Sequence, residues 1–224
     1  MNEKLGFLHR DIKLDNICLD KDHVLLLIDL ERVAEIGAGP EEGVWGVKKG
    51  KSDFASNCLM ARRLAERGTR FIQLYHSGWD AHSNVAGNVT KQAKQVDKAS
   101  AALVQDLKRL GMLEDTLVVW GGEFGRTPMW ENRAGVQNTL VGRDHQGEAF
   151  TMWMAGGGLK KGYVHGKTDE IGFRGVDGRV SVYDVQATIL HLLGFDHEQF
   201  TYDFQGRPFR LTDVEGELIH QILV

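Results

Sequence analysis

Apolar residues recur at helical spacing from Asp53 onward: Phe54, Cys58, Leu59, Met60, Leu64 and Ala65. This stripe predicts a helix, and Gly68 supplies the left-handed stop that helices favour. The next run, Thr69–His76, alternates in the manner of a strand. A second, longer helix is predicted from about Asn88 to Leu110. Its inward stripe is Ala93, Val96, Ala99, Leu103, Leu107 and Leu110, and Gly111 ends it. Its other face carries Lys91, Lys94, Lys98, Asp106 and Lys108, which reads as solvated surface. Thr116–Trp120 is nearly all apolar, the pattern of a strand buried on both faces of a parallel sheet. Phe150–Ala155 is a further strand candidate. Ser181-Val-Tyr-Asp184 reads as a capping box for a helix running to Leu193 and stopped by Gly194. The tail from Thr212 is expected to form a last short helix. Helices alternating with strands predict a layered α/β domain with a mostly parallel sheet flanked by helices.

The pattern changes near residues 37–50. Ile36-Gly-Ala-Gly-Pro-Glu-Glu-Gly43 holds three of the 27 glycines and one of the three prolines, and reads as a linker or loop. Before it, Val24–Ile28 is a strand candidate. Two parts follow from this, residues 1–43 and residues 44–224.

Composition narrows the function classes. The net charge is −4 with histidine neutral, and Lys48-Lys49-Gly50-Lys51 is too short a basic run to imply a nucleic-acid partner. Cys18 and Cys58 make no disulfide framework, and Cys58 on an apolar helix face reads as a small core residue. No stretch is long and apolar enough for a bilayer span. Residues 1–10 lack the apolar segment of a signal peptide, so the chain as written is expected in the cytoplasm.

Three polar motifs carry the candidate chemistry. They are Trp79-Asp80-Ala81-His82, Gly121-Gly122-Glu123-Phe124-Gly125-Arg126-Thr127-Pro128 and Gly142-Arg143-Asp144-His145. Carboxylate oxygen and imidazole nitrogen suit a borderline divalent metal such as Zn²⁺ or Mn²⁺. In an extended segment Asp80 and His82 project to the same side and could reach one ion; the plainer alternative is a turn aspartate and a surface histidine. Glu123, among glycines past a strand, could coordinate a cation, act as a base, or be an exposed loop residue. Arg126 could match a tetrahedral oxyanion bidentately or pair with Glu123. Asp144-His145 could supply one or two ligands, or a ligand and its orienting partner. His76 reads as structural, His165 as a weak candidate and His191 as helix packing; His197 and His220 show no partner pattern.

Residues 44–224 resemble the C-terminal half of the bacterial family called domain of unknown function 1501. The similar stretches are Leu64–His76, Gly78–His82, the Gly-Gly-Glu-Phe-Gly-Arg-Thr-Pro loop, Gly142–His145, Ala155–Gly158, Gly166–Glu170, Asp184–Gly194 and Gly206–Asp213. The resemblance implies a sulfatase-like member of the alkaline phosphatase superfamily, here a partial alkaline-phosphatase-like sandwich. It implies a divalent metal (Zn²⁺, Mn²⁺, Ca²⁺ or Mg²⁺) and a small-molecule phosphate or sulfate ester as substrate. Asp80, His82 and His145 would ligate one ion. Glu123 stands where relatives carry an acidic metal pair, whose second member is replaced by Phe124. Asp144 could compensate, and Arg126 or Arg143 would lie near the anion. The family's N-terminal half, with its early metal acid and nucleophile, has no counterpart here; a separate chain could supply it. The expectation is a truncated hydrolase of low or no activity alone, or a non-catalytic binding remnant. Relatives are commonly exported.

His9-Arg10-Asp11-Ile12-Lys13-Leu14-Asp15-Asn16 resembles the catalytic loop of protein kinases. The resemblance implies Asp11 as proton acceptor, Lys13 at the phosphate and Asn16 on magnesium, with Asp29 in the place of the metal-binding triplet's aspartate. Glu31 replaces that triplet's glycine. No nucleotide-binding elements accompany the loop, so it reads as a kinase fragment joined to the second part, with an ATP-binding kinase as the remaining alternative.

Overall fold

The computed structural model describes residues 17–19, 25–27, 45, 53–122, 124–131 and 141–224. The chain divides into two compact units: residues 1–81 with 86–109, and residues 82–85 with 110–224.

Two long helices among the described residues carry the first unit. Helix α1 (Phe54–Glu66) starts at Asp53, whose carboxylate accepts from the Ser56 backbone N–H at 2.9 Å. That bond satisfies one of the orphan donors of the first turn. Gly68, with φ +84°, takes the chain out of the helix as expected. Helix α2 (Val85–Arg109) begins slightly earlier than its stripe suggests and ends before Gly111, with φ +72°. The two helices meet over Ala55, Cys58, Leu59, Ala99 and Ala102, all buried, with Trp45 packed against them at 2% exposure. Alanine on both faces lets two helix backbones approach closely, and the indole fills the remaining volume. Cys58 is the small core residue expected; burial, helped by the charge of Asp53, pushes its thiol up to about 12.

Two expectations for this unit are corrected. Asp106 is buried, not solvated, because Arg62 at 3.0 Å and Arg109 at 2.6 Å neutralise it. The run Thr69–His76 forms a strand only at β3 (Phe71–Ile72). β3 pairs antiparallel with β1 (Ile17–Leu19), which pairs antiparallel with β2 (Leu25–Leu27) inside the predicted Val24–Ile28 strand.

The described residues of the second unit form paired ribbons, one α-helix and short 3-10 segments. β4 (Leu117–Trp120) pairs with β7 (Trp153–Gly156), β5 (Gly125–Glu131) with β6 (Gly142–Gln146), β8 (Lys167–Thr168) with β9 (Gly175–Asp177), and β10 (Thr201–Phe204) with β11 (Arg207–Arg210). All of these pairs are antiparallel, so the described strands form small antiparallel sheets instead of the mostly parallel sheet expected. The apolar run at β4 does not reflect burial on both faces: its residues are only partly covered, and Val119 is 37% exposed. On this ribbon Trp120 stacks on its register partner Trp153 at an interplanar angle of 7°.

Helix α3 (Val182–Leu192) carries the full capping box between Ser181 and Asp184, and Gly194 ends it with φ +86°. The expected tail helix is replaced by turns and a short 3-10 segment at His220–Ile222. The β10–β11 hairpin ahead of it turns at Gln205 and Gly206, both with positive φ, which matches the twist of paired strands. The buried centre of this unit includes Ala187, Thr188 and Thr212, each 0% exposed. Thr188 donates to the Asp184 carbonyl at 2.7 Å and accepts from the Ile219 N–H at 3.0 Å. Thr212 bonds His197 Nδ1 at 3.0 Å, which gives that histidine a structural place. Mixed helix and short antiparallel strand is thus the observed class. Among the described residues no helix is long and apolar enough to cross a membrane.

Candidate metal centre

The β5–β6 ribbon and the short segment 82–85 assemble the chemistry of the second unit. Arg126 stands opposite His145 in the ladder, and Glu131 stands opposite Gly142, with a register shift between the two ends. Gly142 is buried, and a Cβ there would run into the His82 carbonyl oxygen. The absence of a side chain therefore lets the His82 backbone lie against β6. The bond from the Val85 N–H to the Val141 carbonyl, 3.0 Å, holds the same segment in place.

Two imidazoles face each other across this junction. His82 Nε2 and His145 Nε2 are 3.2 Å apart. Two donors on one tetrahedral zinc ion, each about 2.0–2.1 Å from the metal, stand roughly 3.3 Å apart. The observed spacing therefore fits a shared cation as well as it fits a hydrogen bond. The opposite ring nitrogen, His82 Nδ1, lies 3.0 Å and 2.8 Å from the two carboxylate oxygens of Glu131. Both side chains are sheltered, at 18% and 7% exposure. His82, Glu131 and Asp144 each bring one ligand-type atom within 4.8 Å of the others. Asp144 is exposed, and its carboxylate accepts from the His145 backbone N–H at 2.9 Å. Phe124 meets the His145 ring edge-on at 5.8 Å.

Of the residues singled out from the sequence, His82 and His145 meet at their Nε2 atoms, and Asp144 has an oxygen near His82. Asp80 lies in the first unit, exposed, two residues ahead of His82 in the chain. Arg126 and Arg143 sit within the ribbon, not in loops past strand ends; Arg126 Nη1 donates to the Arg143 carbonyl at 3.3 Å. Residues directly opposite in a ladder share a face, so Arg126 and His145 leave the ribbon on the same side. Glu123, Asp11, Lys13, Asn16 and Asp29 lie outside the described residues.

Glu131 escaped the sequence reading. It lies 49 residues from His82, in a segment that shows no strand alternation. The buried carboxylate was visible only as a charge next to Met129-Trp130. The remaining histidines fall elsewhere. His76 is structural as expected, bonded to Gln92 at 3.0 Å and edge-on to Phe54. His191 is exposed in the last turn of α3, which corrects its reading as packing.

The family described as "Protein of unknown function (DUF1501)" matches residues 34–223. The chain belongs to this family. The match spans both units and all of the metal-type residues above. No curated protein and no solved structure matches the chain.

Proposed function

We propose that this member of the family is a metal-dependent hydrolase domain of sulfatase-like, alkaline-phosphatase-like type, acting on phosphate or sulfate esters. The observation that carries the reading is the pair of imidazole nitrogens 3.2 Å apart, flanked by carboxylates and an arginine. The motifs that resemble those of the family support it, and so does the donor set, since nitrogen with carboxylate oxygen suits Zn²⁺ or Mn²⁺ better than Mg²⁺ or Ca²⁺.

In this reading His82 and His145 are ligands. Asp144 stands at the rim, with an oxygen near His82. A bound divalent ion would polarise the ester oxygen and lower the pKa of a coordinated water. Arg126 on the face of His145 would hold the anionic group, and its planar fork suits tetrahedral oxyanions. The sheltered surroundings of His82 limit competing water and strengthen these electrostatic contacts.

The test is zinc or manganese titration by calorimetry, with elemental analysis of the purified chain. One ion per chain is expected, lost in His82→Ala and in His145→Ala. Turnover of an aryl phosphate or aryl sulfate that stops on chelation would establish the hydrolase. Stoichiometric metal without turnover would instead make the chain a non-catalytic binding domain. No metal in the purified chain and no binding on titration would defeat the reading.

A further inference from the structure

We infer that Glu131 is a positioning residue that fixes the tautomer of His82, placing the proton on Nδ1 and the lone pair on Nε2. The inference deepens the metal reading and rests on it. A buried carboxylate is costly unless a donor faces it. Glu131 is 7% exposed at the side chain, and both of its oxygens converge on His82 Nδ1, at 2.8 and 3.0 Å. An ionised carboxylate is an acceptor only, so that nitrogen carries the proton. In a neutral imidazole the other nitrogen then offers its lone pair. That nitrogen, Nε2, is the one aimed at His145 Nε2. The ring is thereby locked in both rotation and tautomer, with its ligating end toward the junction of the two histidines.

The backbone explains why this contact is available. Glu131 closes β5 opposite Gly142, and Gly142 is the residue whose missing side chain admits the His82 backbone. One ladder pair therefore sets both the distance and the orientation of the histidine. A carboxylate behind a metal-bound imidazole raises its basicity and holds its direction. Glu131 would act in this way without touching the ion. This assigns it a role distinct from Asp144, which has an oxygen near the same cluster but lies at the exposed rim.

The ring-nitrogen chemical shifts of His82 in the full metal-free chain test this directly. Protonated Nδ1 with bare Nε2 is expected in the wild type. Glu131→Ala should mix the tautomers and weaken Zn²⁺ binding by about 10- to 100-fold. Glu131→Gln, whose amide oxygen can still accept from Nδ1, should keep the tautomer and most of the affinity. A wild-type ring protonated on Nε2 would overturn the inference, as would a folded Glu131→Ala chain with unchanged tautomer and unchanged zinc affinity. Should Glu131→Ala not fold, the wild-type tautomer and the Glu131→Gln chain still decide. A wild type that binds no Zn²⁺ would defeat the metal reading alone, because the tautomer is measured without metal.

Discussion

The two units bury different polar groups: the first sets the Arg62–Asp106 ion pair beside its apolar core, and the second sets hydroxyls beside Leu159, Val185, Ala187 and Ile219. The first closes an apolar interface between α1 and α2, filled by Trp45, Cys58, Leu59 and three alanines. The second buries hydroxyls: Thr188 and Thr212 are as fully covered as Ala187, and each is hydrogen-bonded. Apolar packing is tolerant of direction, and depends on volume and area. A buried hydroxyl is held by direction, and it fails outright when a partner is lost. The candidate metal centre sits in the unit that already works by directed polar contacts. A tautomer-locked histidine is the same device applied to a ligand.

Removing the indole is the strongest way to break this comparison. Trp45→Ala should destabilise the chain by about 3–5 kcal/mol, the usual cost of deleting a buried large aromatic. Urea unfolding followed by circular dichroism would measure it. A cost near zero would mean that the first unit is not held by this packing.

The contrast also explains what could be read from the sequence. Both helices of the first unit and α3 were legible, because periodicity, caps and glycine stops are written within a few residues of each other. Asp53, Gly68, Ser181, Asp184 and Gly194 all do what their positions announce. The strands of the β4–β7 ribbon were legible as apolar runs, but the β5–β6 ribbon was not. β5 contains a proline and a register shift, and β6 reads Gly-Arg-Asp-His-Gln with no apolar alternation. Such strands are specified by what they pair with, which lies elsewhere in the chain. The same holds for the site. His82, Asp144 and His145 stood out by residue type, whereas Glu131 owes its importance to a partner that only folding supplies. The parallel sheet was inferred from helices alternating with strands and from one apolar run, and partial burial on two faces produces the same run.

A second test sharpens the claim about buried hydroxyls. Thr188→Val keeps the shape but deprives the buried Ile219 N–H of its acceptor. Leaving such a donor unsatisfied costs about 1–3 kcal/mol, so a loss in that range is expected. Amide exchange should quicken at Ile219 while the α1–α2 interface keeps its protection. A neutral Thr188→Val would show that the second unit is held by packing after all, and the contrast between the units would close.

The smallest effect isolates one carboxylate. Asp184 completes the capping box by accepting from the Ser181 N–H at 2.6 Å, and its other oxygen accepts from the Glu217 N–H at 2.8 Å. Partial desolvation pushes its pKa up, but these backbone bonds and the Ser181 hydroxyl outweigh it and hold the carboxyl below the ordinary value of 3.8. The sign of the pH dependence follows. A folded-state pKa below the unfolded one stabilises the fold above the unfolded value, and that stabilisation fades as pH falls through the folded value. Asp184→Ala should therefore cost about 0.5–2 kcal/mol at neutral pH, the range for losing a helix cap. The gap between wild type and variant should narrow as the solution is acidified below 3.8. Melting temperatures of the two chains across that range would measure it. A gap that stays constant into strong acid would mean that the carboxylate's charge contributes nothing, and that the cap works through shape alone.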